Sequence, residues 1–89
     1  MISYFEASSL AFEYFKEKLN VLGLAEAMES ENCYIFTGGK HGCISIGGVS
    51  IRIDKNNADI SVLNFPSKEN TQLIKNANIK EIYSEFICD

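Results

Sequence analysis

Between Asn32 and Asn64 apolar and polar residues alternate, and ahead of that stretch apolar residues recur every three or four positions. The first pattern is that of a half-buried strand, the second that of an amphipathic helix. Phe5, Ser8, Phe12, Phe15, Leu19 and Leu22 form the helical stripe, and Glu6, Glu13, Lys16 and Glu17 lie off it. Ser3 and Glu6 have the spacing of a capping box, in which the hydroxyl accepts from the backbone N–H three residues on. The spacing predicts a helix over residues 4–21, with Phe12 and Phe15 inward and Gly23 as its left-handed stop. Residues 24–29 read as a short second helix with Leu24 and Met28 inward, broken at Ser30, Glu31 and Asn32.

The alternating stretch divides into four strands, at 33–37, 43–46, 49–54 and 59–64, separated by Gly38–Gly42, Gly47–Gly48 and Lys55–Ala58. Closing each turn fixes a register. The first turn sets Phe36 against Ile44 and Tyr34 against Ile46. The second sets Ile46 against Val49 and Ile44 against Ile51. The third sets Ile53 against Ile60, Arg52 against Ser61 and Ile51 against Val62. Each pairs apolar with apolar and polar with polar, and a slip of one residue would undo it. One face then carries Tyr34, Phe36, Ile44, Ile46, Val49, Ile51, Ile53, Ile60 and Val62, against which the helices should rest. The other carries Cys33, Ile35, Thr37, Cys43, Ser45, Ser50, Arg52, Asp54 and Ser61, mostly small and polar, as on the wet side of an antiparallel sheet.

Pro66 ends the sheet, Ser67 is a suitable N-cap, and residues 68–77 read as a helix with Leu73, Ile74 and Ala77 inward. Residues 79–87 suit either a helix or an edge strand. The strand is favoured, because a helix there would need a further layer to cover it. The expectation is a single α+β domain over residues 1–89, in two layers: an N-terminal helix, a four-stranded antiparallel meander, a C-terminal helix and an edge element.

Composition narrows the function more than it defines it. Eight basic residues against twelve acidic ones leave a net charge of −4. A nucleic-acid partner requires clustered Lys and Arg, and here the basic residues are scattered, with Arg52 the lone arginine. The expectation is therefore no nucleic acid. Nor does any run approach the roughly 18 apolar residues of a membrane span. MISYFEASS lacks the basic start and apolar core of a signal peptide. Three cysteines, Cys33, Cys43 and Cys88, form no pairing pattern, which fits reduced thiols and a cytoplasmic location.

Candidate chemistry is sparse. Gly38-Gly39-Lys40-His41-Gly42 has the glycines and a lysine of a phosphate loop, but it lies between two strands rather than opening a helix. It reads as a hairpin turn, with Lys40 and His41 available to a partner. His41 and Cys43 lack a third, orienting group. In the expected register Cys33 and Cys43 lie roughly 13 Å apart, too far for one zinc ion. Asp54 and Asp59 face each other across the third turn as ordinary turn carboxylates. The expectations are thus no enzyme, no cofactor and no metal.

Two resemblances of general type remain. The order of one helix, four strands and one helix is similar to that of double-stranded-RNA-binding domains. Those place basic residues at the start of the last helix, where Ser67-Lys68-Glu69-Asn70 supplies one. In size, acidity and the Glu26–Glu31 run, the chain resembles small bacterial immunity proteins, which are often acidic and block a cognate toxin, frequently a basic nuclease. That resemblance implies an inhibitor whose Glu26, Glu29 and Glu31, with Asp54 and Asp59, meet a basic toxin domain. The alternative is a regulatory or scaffold module acting through a sheet edge or through the small-residue face, with Ile35 and Leu63 as anchors for a partner or a homodimer.

Overall fold

The computed structural model describes residues 1–39, 49–63 and 75–87. In chain order the elements are α1 (Tyr4–Leu19), β1 (Leu24–Glu29), β2 (Cys33–Gly38), β3 (Ser50–Asp54), β4 (Ile60–Leu63), β5 (Asn78–Lys80) and a 3-10 turn (Ser84–Phe86). The strands form one five-stranded sheet in the order β4-β3-β2-β1-β5, antiparallel throughout. The α+β class stands, with one helix among the described residues. The expected four-strand set is corrected.

Residues 24–29 are a strand where a helix was expected. Leu, Ala, Glu and Met favour helix, but six residues cannot sustain one alone. β2 is aromatic and deeply buried, and an unpaired edge there would leave its backbone groups without partners. β1 supplies them, pairing Glu26 with Thr37, Ala27 with Phe36, Met28 with Ile35 and Glu29 with Tyr34. A bulge at Ala25 separates Leu24 from this register.

The other edge of β2 is taken by β3, with Tyr34 against Ile53 and Phe36 against Ile51. The pairings of Tyr34 and Phe36 with Ile46 and Ile44 are thereby overturned. Ile51, set between Phe36 and Val62, has no edge left for Ile44. The expected strand at 43–46, residues 68–74 of the helix expected over 68–77, and Lys40 and His41 lie outside the described residues. The third hairpin has the expected register: Ile51 faces Val62, Arg52 faces Ser61 and Ile53 faces Ile60. The tail begins as the expected edge strand, with Asn78, Ile79 and Lys80 against Glu29, Met28 and Ala27.

Helix α1 starts as expected. Ser3 Oγ accepts from the Glu6 N–H at 3.1 Å. It stops earlier than Gly23: Asn20 takes the left-handed conformation, and the Val21 N–H donates to the Phe15 carbonyl at 2.9 Å. Its buried residues are Ala7, Ser8, Ala11 and Phe15, while Phe5, Leu19 and Leu22 are exposed. The helix is rotated from the expected stripe so that small residues meet the sheet. The reason is steric, since the sheet offers Tyr34 and Phe36, and alanines let the helix backbone approach those rings. Tyr4 then stacks on Phe36, with ring centres 6.1 Å apart. Phe5 and Phe12 flank the helix and contact Phe86 of the 3-10 turn.

The opposite sheet face is not the wet surface that its composition suggests. Cys33, Ile35 and Leu63 are buried in a second cluster, with Met28 and Ala77 against it. Thr37 and Ser50 share a hydroxyl hydrogen bond at 2.9 Å. Ile35 and Leu63, considered as partner anchors, are thus interior residues.

Candidate protein-binding surface

The β1–β2 and β3–β4 turns lie side by side at one end of the sheet. The Lys55 N–H donates to the Asn32 carbonyl at 3.0 Å, and the Lys55 carbonyl accepts from the Ile2 N–H at 2.9 Å. The β3–β4 turn is built from short polar side chains. Asp54 Oδ1 accepts from the Asn56 N–H, and Asn57 Oδ1 accepts from the Asp59 N–H. Such side chains mimic backbone turns. Ala58, at φ 62°, takes the left-handed position. Here Asp54 and Asp59 face each other, as their backbone bond of 3.0 Å requires. Glu31 is exposed on the neighbouring turn.

Glu29 sits among cations. Its carboxylate accepts from Lys55 Nζ at 2.7 Å and lies 3.6 Å from Lys80 Nζ. Lys55 Nζ also lies over the Tyr34 ring and Lys80 Nζ over the Tyr4 ring, 4.9 and 5.0 Å from their centres. Tyr4 completes the cluster by donating its hydroxyl to the Glu81 carbonyl at 2.6 Å. Burial pushes the Tyr4 phenol up. The cluster ties α1, β1, the β3–β4 turn and β5 together, and its geometry is that of a structural pin. No sequence spacing announces it, because Lys55 and Lys80 meet Glu29 only through the sheet.

The hydrogen bond from Lys55 holds the Glu29 carboxyl below the usual carboxylate range, helped by the charges of both lysines. A carboxyl with a depressed folded value stabilises the fold fully above its unfolded value of about 4.3. That stabilisation is lost as pH falls through the lower, folded value. Glu29→Gln should therefore be less stable than the wild type at neutral pH, with the gap closing in acid. Urea midpoints of both proteins at several pH values measure this, and a gap constant with pH would remove the ion pair from the account.

The five expected carboxylates do not form one patch. Glu26 and Glu29 lie on opposite faces of β1, since side chains alternate along a strand, and are roughly 10 Å apart along it. Glu31, Asp54 and Asp59 share the turn end. Among the described residues, no group of three or more His, Cys, Asp or Glu side chains is placed to hold a metal ion. Nor is any helix there long and apolar enough to cross a membrane.

Two grooves flank β5, and both are lined by Ile79, Lys80 and Ile82. One continues to Tyr4, Tyr83 and Ser84, the other to Ala25, Glu26 and Met28. Ile79 projects between them, 86% exposed. Sequence reading favours an edge strand here but assigns its side chains to no surface. No protein-family model, curated protein or solved structure matches the chain.

Proposed function

We propose that the protein is a binding inhibitor that meets a basic protein partner through the turn end of its sheet, acting as an immunity protein that neutralises a cognate toxin in the cytosol. The observation that supports this reading is the gathering of Glu31, Asp54 and Asp59 on two turns joined by the Lys55–Asn32 hydrogen bond. Lys55, on the β3–β4 turn itself, is buried and matched by Glu29, and Glu31 and Asp59 are exposed beside it. Asx-type hydrogen bonds hold the turn in one shape, which lowers the ordering cost of association. Acidic complementarity of this kind acts mainly on the rate of encounter.

Co-expression with the product of the neighbouring gene tests the reading. Protection from a toxic neighbour is expected, and a neighbour that is harmless or not neutralised ends the proposal. Given a partner, Glu31→Lys with Asp59→Lys should slow association roughly tenfold at low salt. Stopped-flow or surface-based kinetics would show it, and an unchanged association rate would exclude the turn end. The second reading, a regulatory module docking through a sheet edge, is favoured by one observation, the exposure of Ile79 on β5.

A further inference from the structure

Two aromatic rings stand half out of the fold. Phe5 is 44% and Tyr83 42% exposed. Their rings meet edge to face, with centres 5.1 Å apart and planes at 75°. Both are held from within. The buried Phe86 ring lies 5.7 Å from that of Phe5 and 6.3 Å from that of Tyr83, and the Tyr4 ring lies 5.6 Å from that of Tyr83. The start of the chain is fastened to the β3–β4 turn by the bond from the Ile2 N–H to the Lys55 carbonyl. Phe5 follows in the first turn of α1, so the ring pair adjoins the turn end.

The face of an aromatic ring is electron-rich and attracts cations. The fold already uses its tyrosines in this way, with Lys55 over Tyr34 and Lys80 over Tyr4. Among the described residues no cation lies over Phe5 or Tyr83. A groove of about 600 Å³ runs past Tyr83, lined also by Tyr4, Lys80, Glu81 and Ser84. Glu81 is exposed, and so are Glu6 and Glu85, close in sequence to Phe5 and Tyr83. Lys80, the cation of the lining, is drawn to Glu29, 3.6 Å away. A ring face beside a carboxylate suits a guanidinium, which stacks flat on the ring and turns its N–H donors to the carboxylate. A guanidinium is also less strongly hydrated than an ammonium, so it leaves water at lower cost.

We propose that Phe5 and Tyr83 anchor the interface with the basic partner, taking an arginine side chain of that partner on their exposed faces with Glu81 as its counter-ion. This rests on the reading of the chain as a binding inhibitor and adds what the turn end lacks. Exposed carboxylates raise the rate of encounter, whereas pre-positioned rings that lose their water on docking slow dissociation. A second copy of the chain is the wrong occupant. It brings a net charge of −4, and its lone arginine, Arg52, has its Nε buried within the fold.

The test is an NMR titration of the ¹⁵N-labelled full chain with a capped synthetic peptide of alternating arginine and serine. Peptides with citrulline or lysine in place of arginine are the counterparts. Citrulline keeps the shape and loses the charge, and lysine keeps the charge and loses the plane. Amide shifts should centre on residues 5–6 and 81–85 with the arginine peptide. The other two peptides should bind roughly threefold more weakly or worse. Tyr83→Ala should weaken the arginine peptide roughly fivefold, and so should Glu81→Lys, which reverses the counter-ion and leaves both rings in place. Equal affinity for the arginine peptide and either counterpart, no shift with any peptide, or unchanged binding by Glu81→Lys each overturn the proposal. Shifts confined to Glu31, Asp54 and Asp59 also overturn it, and leave the turn-end inhibitor standing.

Discussion

Phe15→Ala lowers the unfolding midpoint in urea by far more than any substitution on the exposed side of α1, at a cost of about 3–5 kcal/mol. Phe15 is 1% exposed and belongs to the main core cluster, with Phe36, Ile51 and Ile53. Removing the ring takes its apolar surface out of the core and leaves a cavity. The cavity cannot easily collapse. The part of β2 that the ring covers is Gly38, whose backbone has no side chain to move in. β2 itself is held on both edges, by β1 and β3. A domain of this size has a total stability of about 5–15 kcal/mol, and a small one lies towards the lower figure. The variant should therefore be close to unfolding in water. Leu22→Ala, on a residue 56% exposed outside every element, serves as the control and should stay within about 0.5 kcal/mol of the wild type. Equal shifts of the two midpoints would mean that α1 does not dock through Phe15.

Gly38→Ala is the second large effect, and it arises from the same contact. A Cβ built on Gly38 would stand 2.7 Å from Cδ1 and 2.9 Å from Cγ of Phe15. Those are atoms of a planar ring in a filled core, so the ring or the strand must shift. Overpacking of this kind costs about 1–3 kcal/mol. The clash predicts its own remedy. Phe15→Leu is destabilising alone but should cost less on the Gly38→Ala background, because a smaller side chain clears the new methyl. A double-mutant cycle should return a coupling of about 0.5–3 kcal/mol. Strict additivity would show that the glycine is required for another reason.

These two residues also show what could be read from the chain and what could not. Phe15 was assigned to the core by helical spacing alone. The contact that makes it critical was hidden, because it joins the last turn of α1 to the end of β2. The β3–β4 hairpin was legible residue by residue, since its turn chemistry and its alternation agree and both are local. β1 was misread because Leu24–Glu29 favours helix, and its strand state depends on neighbours on both edges. The helix was found but its rotation was not. Apolar size pointed to Phe5 and Leu19, whereas the aromatic sheet selected Ala7 and Ala11. At the surface, each acidic side chain was visible, yet whether it was free depended on lysines far away in sequence. Glu29 is matched by Lys55 and Lys80, and Glu31 and Asp59 remain exposed.

Cys33, enclosed in the cluster beneath the far face of the sheet, turns that side into a chemical clock. Its thiol has no exposed surface, so an alkylating reagent reaches it only when the structure opens. With Cys43 and Cys88 replaced by serine, the rate of alkylation reads the opening of β2 directly. The reading comes from the face opposite Phe15 and Gly38, so damage done under the helix is timed from the other side of the sheet.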